Sequence, residues 1–202
     1  MTPEIISQII VSIILRQLCQ RGLVSVSQIR AGSAGYGLNS SGQVVGTAII
    51  TGNIAYHAFL YSDGIMHDIG TLNGDPYSSS TGIGINSIGQ VVGSAYNTDC
   101  NCNQAFLYSG GVMQALPLTQ AWAINDAGQI IGNNGSRAYL YSGGFLTDLG
   151  TLGGTYSFAN GINNNGEVVG YSSGTNDAYR HSCHRSLQNQ PLGVESKPAT
   201  LR

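Results

Sequence analysis

Charge is what this sequence has least of. Lysine and arginine together number 8 and aspartate and glutamate 10, so charged residues fill 9% of 202 positions, against roughly a quarter in an ordinary globular protein. With a net charge of -2 and no basic cluster, the chain lacks the electrostatic grip that nucleic acid requires, which excludes that partner class. The scarcity of carboxylates also weakens any glycosidase reading, because sugar hydrolysis commonly needs a convergent pair of them. Cysteine is sparse as well: Cys19, Cys100, Cys102 and Cys183 lie in dissimilar segments and form no regular disulfide framework. No GxSxG elbow, phosphate-cradling loop or HExxH helix is present. The apolar run from Ile5 to Leu18 is shorter than the roughly 20 residues a bilayer needs, and Gln8 and Arg16 interrupt it.

That N-terminal run, residues 1–21, has two readings. Its length and the small-x-small segment Ser25-Val26-Ser27 suit an atypical secretory signal. Polar residues at 4, 8, 12, 16 and 20 instead fall on one stripe of a helix packed on the domain. Glu4 at the start, and Arg16 and Arg21 behind the run, have the reverse of a signal's charge order.

What the chain does have is glycine, 29 residues of it, and a sentence repeated four times. YGLNSSGQVVG (36–46), GINSIGQVVG (84–93), AINDAGQIIG (123–132) and GINNNGEVVG (161–170) place Asn and Gly three apart, at Asn39/Gly42, Asn86/Gly89, Asn125/Gly128 and Asn163/Gly166. Asn suits the first position of a type I turn because its side chain can bond the backbone two residues on. Gly accepts the left-handed conformation that closes a bulged hairpin. Each copy therefore predicts a hairpin tip, followed by a short β-branched strand (Val44-Val45, Val91-Val92, Ile130-Ile131, Val168-Val169) that ends at Gly.

A second hairpin is expected after each of the first three copies. HAFLYSDGIMHDIGTL (57–72), QAFLYSGGVMQALPL (104–118) and RAYLYSGGFLTDLGTL (137–152) carry two-residue turns at Asp63-Gly64, Gly110-Gly111 and Gly143-Gly144. Strands such as Ala58-Phe59-Leu60-Tyr61 are apolar on both faces, which calls for a sheet covered on both sides. Two hairpins give four strands per unit. The expected fold is all-β, a repeat protein resembling a β-propeller of about four four-stranded blades, with a short N-terminal helix. The domain spans 22–182, and 183–202 form a loosely ordered tail. The fourth unit loses the pattern at 177–182. The strand 23–29 is expected to complete that last blade and close the ring.

In order and wording, the GINxxGQVVG hairpin, the HAFLYS strand and the DLGTLGG ending resemble the HAF repeat family, named for the tripeptide that stands here as His57-Ala58-Phe59. The resemblance covers Tyr36 to Tyr179. It implies a secreted or cell-surface β-repeat protein and carries over no catalytic residues. Gln104 and Arg137 replace His57 in the other copies, and Ala115 stands where Asp68 and Asp148 recur. A residue that varies in this way is a poor candidate for a shared chemical task.

Several constellations could carry chemistry. His181, Cys183 and His184 are potential zinc ligands, with Cys100 and Cys102 as distant complements, but read better as incidental residues of a degenerate terminus. The polar loop Asn97–Asn103 resembles the start of a calcium loop, yet Gln104 and Gly110 stand where Gly and Glu are needed. Asp68 and Asp148 suit turn capping, and Asp75, Asp99, Asp126 and Glu167 sit in or beside turns. No sialidase-type Ser-x-Asp-x-Gly-x-Thr-Trp box occurs. The equivalent rings Phe59, Phe106 and Tyr139, and Tyr61, Tyr108 and Tyr141, are expected to pack between blades. Trp122 has no equivalent and is expected at a packed rim more than on a sugar-binding surface.

No catalytic, cofactor-binding or metal-binding residue is therefore assigned, and no cofactor is expected. The expected function is a non-catalytic extracellular or surface module whose ligand is unknown, with a glycan or another surface protein as candidates. The alternatives are a carbohydrate-active propeller enzyme and a shortened family member with little independent function. Recognition is expected where the copies disagree.

Overall fold

A computed structural model describes residues 33–49 and 55–174. The chain is all-β, with four antiparallel sheets. The first sheet runs β1 (Ala34–Leu38), β2 (Val44–Ile49), β3 (Tyr56–Ser62) and β4 (Ile65–Gly70) in sequence order. The second repeats this with β5 (Ser80–Ile85), β6 (Val91–Asn97), β7 (Cys102–Ser109) and β8 (Val112–Ala115). The third comprises β9 (Gln120–Ile124), β10 (Ile130–Asn134), β11 (Arg137–Ser142) and β12 (Phe145–Asp148). The fourth holds two strands, β13 (Gly153–Ile162) and β14 (Val168–Gly174). Among the described residues the series does not close into a ring, and no helix is long and apolar enough to cross a membrane. The expected N-terminal helix, the closing strand 23–29, the segment 177–182, the tail and the His181/Cys183/His184 cluster lie outside the described residues.

Local chemistry explains the meander. In each motif the Asn amide donates to the carbonyl four residues on and the Gly amide to the Asn carbonyl, as in Asn39 N to Gln43 O at 3.1 Å and Gly42 N to Asn39 O at 3.1 Å. Gly42 has φ 78°, and Gly89, Gly128 and Gly166 lie at 81°, 74° and 78°, the left-handed region that glycine adopts without steric cost. The Asn carboxamide oxygen accepts the turn amides, for instance from Ser41 N at 3.1 Å and Gln43 N at 3.0 Å. The second hairpins turn where expected, with Ser62 opposite Ile65, Ser109 opposite Val112 and Ser142 opposite Phe145.

One expectation is corrected. The strand does not end at the glycine after the β-branched pair: β2, β6, β10 and β14 continue through Gly46, Gly93, Gly132 and Gly170. In each first strand one extra residue bulges out opposite this point, namely Tyr36, Ile83, Trp122 and Asn160. The bulge pushes a carbonyl toward the glycine. A Cβ there would lie 1.9 Å from Ala34 O at Gly46, 1.9 Å from Thr81 O at Gly93, 2.1 Å from Gln120 O at Gly132 and 2.0 Å from Phe158 O at Gly170.

The core forms between sheets, and the β-branched pair sets its direction. Side chains alternate along a strand, so each pair presents one residue to each neighbouring sheet. Val45 packs with Val91, Ala58, Ile69 and Phe106. Val92 packs with Ile130, Ala105, Leu116 and Leu118, and Ile131 with Val168, Ala138 and Ala159. The second residue of one unit thus meets the first of the next. Phe106 and Tyr108 face the first sheet and Tyr139 and Tyr141 the second, so these repeated rings pack between sheets, while Phe59 and Tyr61 pack with Val44, Ala48 and Met66 of their own sheet. Each fully buried Val or Phe contributes about 1.5–3 kcal/mol.

Candidate functional site

The residues singled out in the sequence mostly prove to be structural. Asp68 Oδ1 accepts Gly70 N at 2.8 Å, and Asp148 Oδ1 accepts Gly150 N at 2.7 Å, so both close the turn behind their strand. Their other partners explain why the copies vary together. Arg137 Nη2 donates to Asp148 Oδ2 at 2.9 Å, and His57 Nδ1 lies 3.1 Å from Asp68. In the second unit Gln104 replaces the cation and Ala115 the acid, and Gln104 Nε2 donates to Leu116 O at 3.2 Å instead. A neutral donor reaching a carbonyl needs no carboxylate.

Asp126 joins three sheets. Its carboxylate accepts Ser87 N at 2.8 Å and Asn164 Nδ2 at 2.7 Å, and its own amide donates to Asn164 Oδ1 at 3.0 Å. The Ser87 amide, then the Ser87 and Asn164 side chains, hold its carboxyl below the ordinary carboxylate value. Glu167 accepts from Asn163 Nδ2 within its own turn. Trp122 occupies the repeated bulge position and is half-buried, with Nε1 donating to Asn133 Oδ1 at 2.7 Å. Cys100 and Cys102 form a disulfide with Cα atoms 5.2 Å apart, which rules them out as complements to a zinc site. The bridge is local and no scaffold. In the same loop Asn97 Oδ1 accepts Asp99 N at 2.9 Å and Asn73 Nδ2 at 2.8 Å, so its oxygens are engaged within the protein. Among the described residues no group of three or more His, Cys, Asp or Glu converges.

A concavity among the described residues lies on the second sheet. A cleft of about 420 Å³ is lined by Asp75, Tyr77, Ser78, Ser79 and Thr81 from one segment and by Ser94, Ala95, Tyr96, Thr98 and Asn103 from another. The first segment includes a link that is long by comparison with the other units, and the second lies on β6, β7 and the link between them. The link from β4 to β5 covers 71–79, whereas its counterparts cover only 116–119 and 149–152. The link from β6 to β7 covers 98–101, between the lengths of its counterparts at 50–55 and 135–136.

Hydrogen bonds weld the two segments into one wall. Asn73 Nδ2 donates to Asn97 Oδ1 at 2.8 Å and Thr98 Oγ1 at 3.0 Å, and Tyr96 N donates to Ser79 O at 2.8 Å. Asp75 organises its own loop, accepting Tyr77 N at 3.0 Å and Ser78 Oγ at 2.8 Å. The Tyr77 amide, then the Ser78 hydroxyl, hold its carboxyl below the ordinary carboxylate value, so it is ionised at neutral pH. On the opposite side the Tyr96 hydroxyl donates to Asn101 Oδ1. Asn101, between the bridged cysteines, has φ 53°, a left-handed conformation that Asn tolerates better than most residues. The disulfide turn thereby fixes the Tyr96 ring. Tyr77 stands 76% exposed at the rim.

No single residue type announced this cleft. Its one signal in the sequence is the extra length of the copy at 71–79 and the differing residues at 97–103, in keeping with the expectation that recognition lies where the copies disagree. A second hollow, of about 70 Å³ and lined by Leu149, Leu152, Phe158 and Tyr171 among others, is too small for more than a few waters. No family model matches this chain, and no curated protein is significantly similar to it, so the cleft is read from its own residues.

Proposed function

We propose that this chain is a non-catalytic binding module, extracellular or on a cell surface, built on a β-propeller-like repeat scaffold. The observation that carries the reading is the cleft on the second sheet, walled on one side by the long 71–79 link, while the repeated Asn and Gly residues serve turns and packing. Loops on a rigid frame are the common site of recognition. The carboxylates whose bonds were traced, Asp68, Asp75, Asp126, Asp148 and Glu167, accept hydrogen bonds within turns or between them, which favours binding over the alternative of a carbohydrate-active enzyme. The Cys100–Cys102 bridge favours an oxidising compartment. So does the resemblance to HAF repeats.

Two features support the propeller-like arrangement. Each sheet is a four-stranded meander or the first half of one. Contacts between sheets concentrate on their early strands, β1, β2 and β3 against β5, and β5, β6 and β7 against β9, as in blades that fan out from a common axis.

The test is to replace 97–103 with the tight β10–β11 turn and compare labelled full-length proteins on fixed cells. Labelling by the natural chain that the folded variant loses supports the module. Turnover of a glycoside panel by the natural chain, abolished by a carboxylate substitution, would establish the enzyme instead.

A further inference from the structure

We infer that the cleft between residues 75–81 and 94–103 takes a neutral glycan, with Tyr77 and Tyr96 as the platforms for sugar rings; this rests on the binding-module reading above. Charge decides the class first. Among the lining residues there is no Lys, Arg or His, and the one ionised group is Asp75. A phosphate, sulfate or sialic carboxylate would meet a carboxylate and no cation, an arrangement that costs free energy for an anion. A strongly apolar ligand fits no better, since Ser78, Ser79, Thr81, Ser94, Thr98 and Asn103 are all among the lining residues.

What remains is a neutral ligand that offers both donors and acceptors together with flat C–H faces. Hydroxyl groups can donate and accept, so the serine and threonine wall matches sugar hydroxyls in either sense. The faces of aromatic rings carry negative charge density that attracts polarised C–H groups. Tyr96 is prepared for that role because its hydroxyl is already spent on Asn101 within the disulfide turn, so little ordering entropy is lost on binding. Tyr77 is held at its base by the Asp75 carboxylate, which accepts its amide. The cleft, about 420 Å³, lies within the range of small-ligand sites.

The experiment is a glycan array probed with the full-length chain, carrying neutral, sialylated and sulfated oligosaccharides, followed by calorimetric titration of the best neutral binder. Tyr77→Ala tests the platform, and Tyr171→Ala, an exposed aromatic on another sheet, is the control. Binding to neutral members, weakened about tenfold or more by Tyr77→Ala and unchanged by Tyr171→Ala, is expected. Binding confined to acidic glycans, or indifferent to Tyr77→Ala, overturns the assignment. Cell labelling that depends on 97–103 with no neutral glycan bound overturns the ligand class and leaves the binding module standing. Silence in both assays removes both.

Discussion

The side-chain amide of Asn86 donates to the main-chain carbonyl of Asn125 at 3.2 Å, so the turn of one sheet is bonded to the turn of the next. Asn39 does the same to Asn86 at 2.9 Å and Asn125 to Asn163 at 3.0 Å. One residue type therefore closes its own hairpin with its oxygen and sets the spacing between sheets with its nitrogen. Asn86 and Asn125 are each 3% exposed, so both bonds are made away from water. Asn86→Ala should cost about 1–3 kcal/mol, because it strands buried polar groups. Asn163→Ala, at an exposed turn, should cost less. Urea unfolding of the two variants checks this, and equal losses would mean that the inter-sheet bond adds nothing.

Gly93 is constrained by its neighbour across the strand. A Cβ there would sit 1.9 Å from Thr81 O, while a Cβ on Gly110 would meet nothing within 4 Å. Gly93→Ala should therefore shift backbone and cost about 1–3 kcal/mol or more. Gly110→Ala bears only the cost of its φ of 60°, about 1 kcal/mol. The ranking is read from thermal or urea denaturation, and the reverse order would show that the bulge yields freely.

The Arg137–Asp148 pair is a third test. With both side chains partly exposed, a double-mutant cycle through Arg137→Gln and Asp148→Ala should give a coupling of about 0.2–1 kcal/mol that shrinks with added salt. The double variant recreates the Gln104/Ala115 combination of the second unit. It should be more stable than Asp148→Ala alone, which leaves the arginine without its acid. A double variant no better than that single would mean the paired variation has no energetic basis.

Acid should act locally at Asp75 and Asp126. Both carboxyls are depressed, so their ionised form is the one the fold prefers. Their contribution is present above the ordinary carboxylate value and is lost as pH falls through the lowered folded value. Carboxyl resonances followed by NMR should titrate below the reference of about 3.9, with the Tyr77 and Ser87 amides shifting in step. Midpoints at or above that reference would contradict the hydrogen bonds described.

Which of these features could be read from the chain follows from how local their causes are. The Asn-x-x-Gly turns and the two-residue turns after Ser62, Ser109 and Ser142 depend on torsions within a few residues, and the sequence reading placed them correctly. The two-faced strands were legible because alternation is a property of the strand itself. Gly46 and its equivalents were misread as stops, since their reason is a carbonyl pushed toward them by a bulge in another strand. The length and Gly/Asn content of the copies could not show that Asn39, Asn86 and Asn125 bridge sheets, as the accepting carbonyl is 38 to 47 residues away. Trp122 looked unique by its type, but its place is the bulge shared with Tyr36, Ile83 and Asn160. The cleft was the least legible of all. Tyr77 and Tyr96 recur nowhere, and only folding brings their loops together.

The alternating direction of the β-branched pairs makes every junction between sheets interchangeable. Val45 meets Val91 in the way that Val92 meets Ile130, so removing the 39 residues that separate Asn86 from Asn125 would bring Val45 against Ile130 and create no contact of a new kind. Recombination between copies can therefore lengthen or shorten such a gene by whole units while preserving each seam. The cleft would lose its 94–103 side with the excised unit. Cleft and scaffold are thus separable cargo and carriage, inherited on different terms.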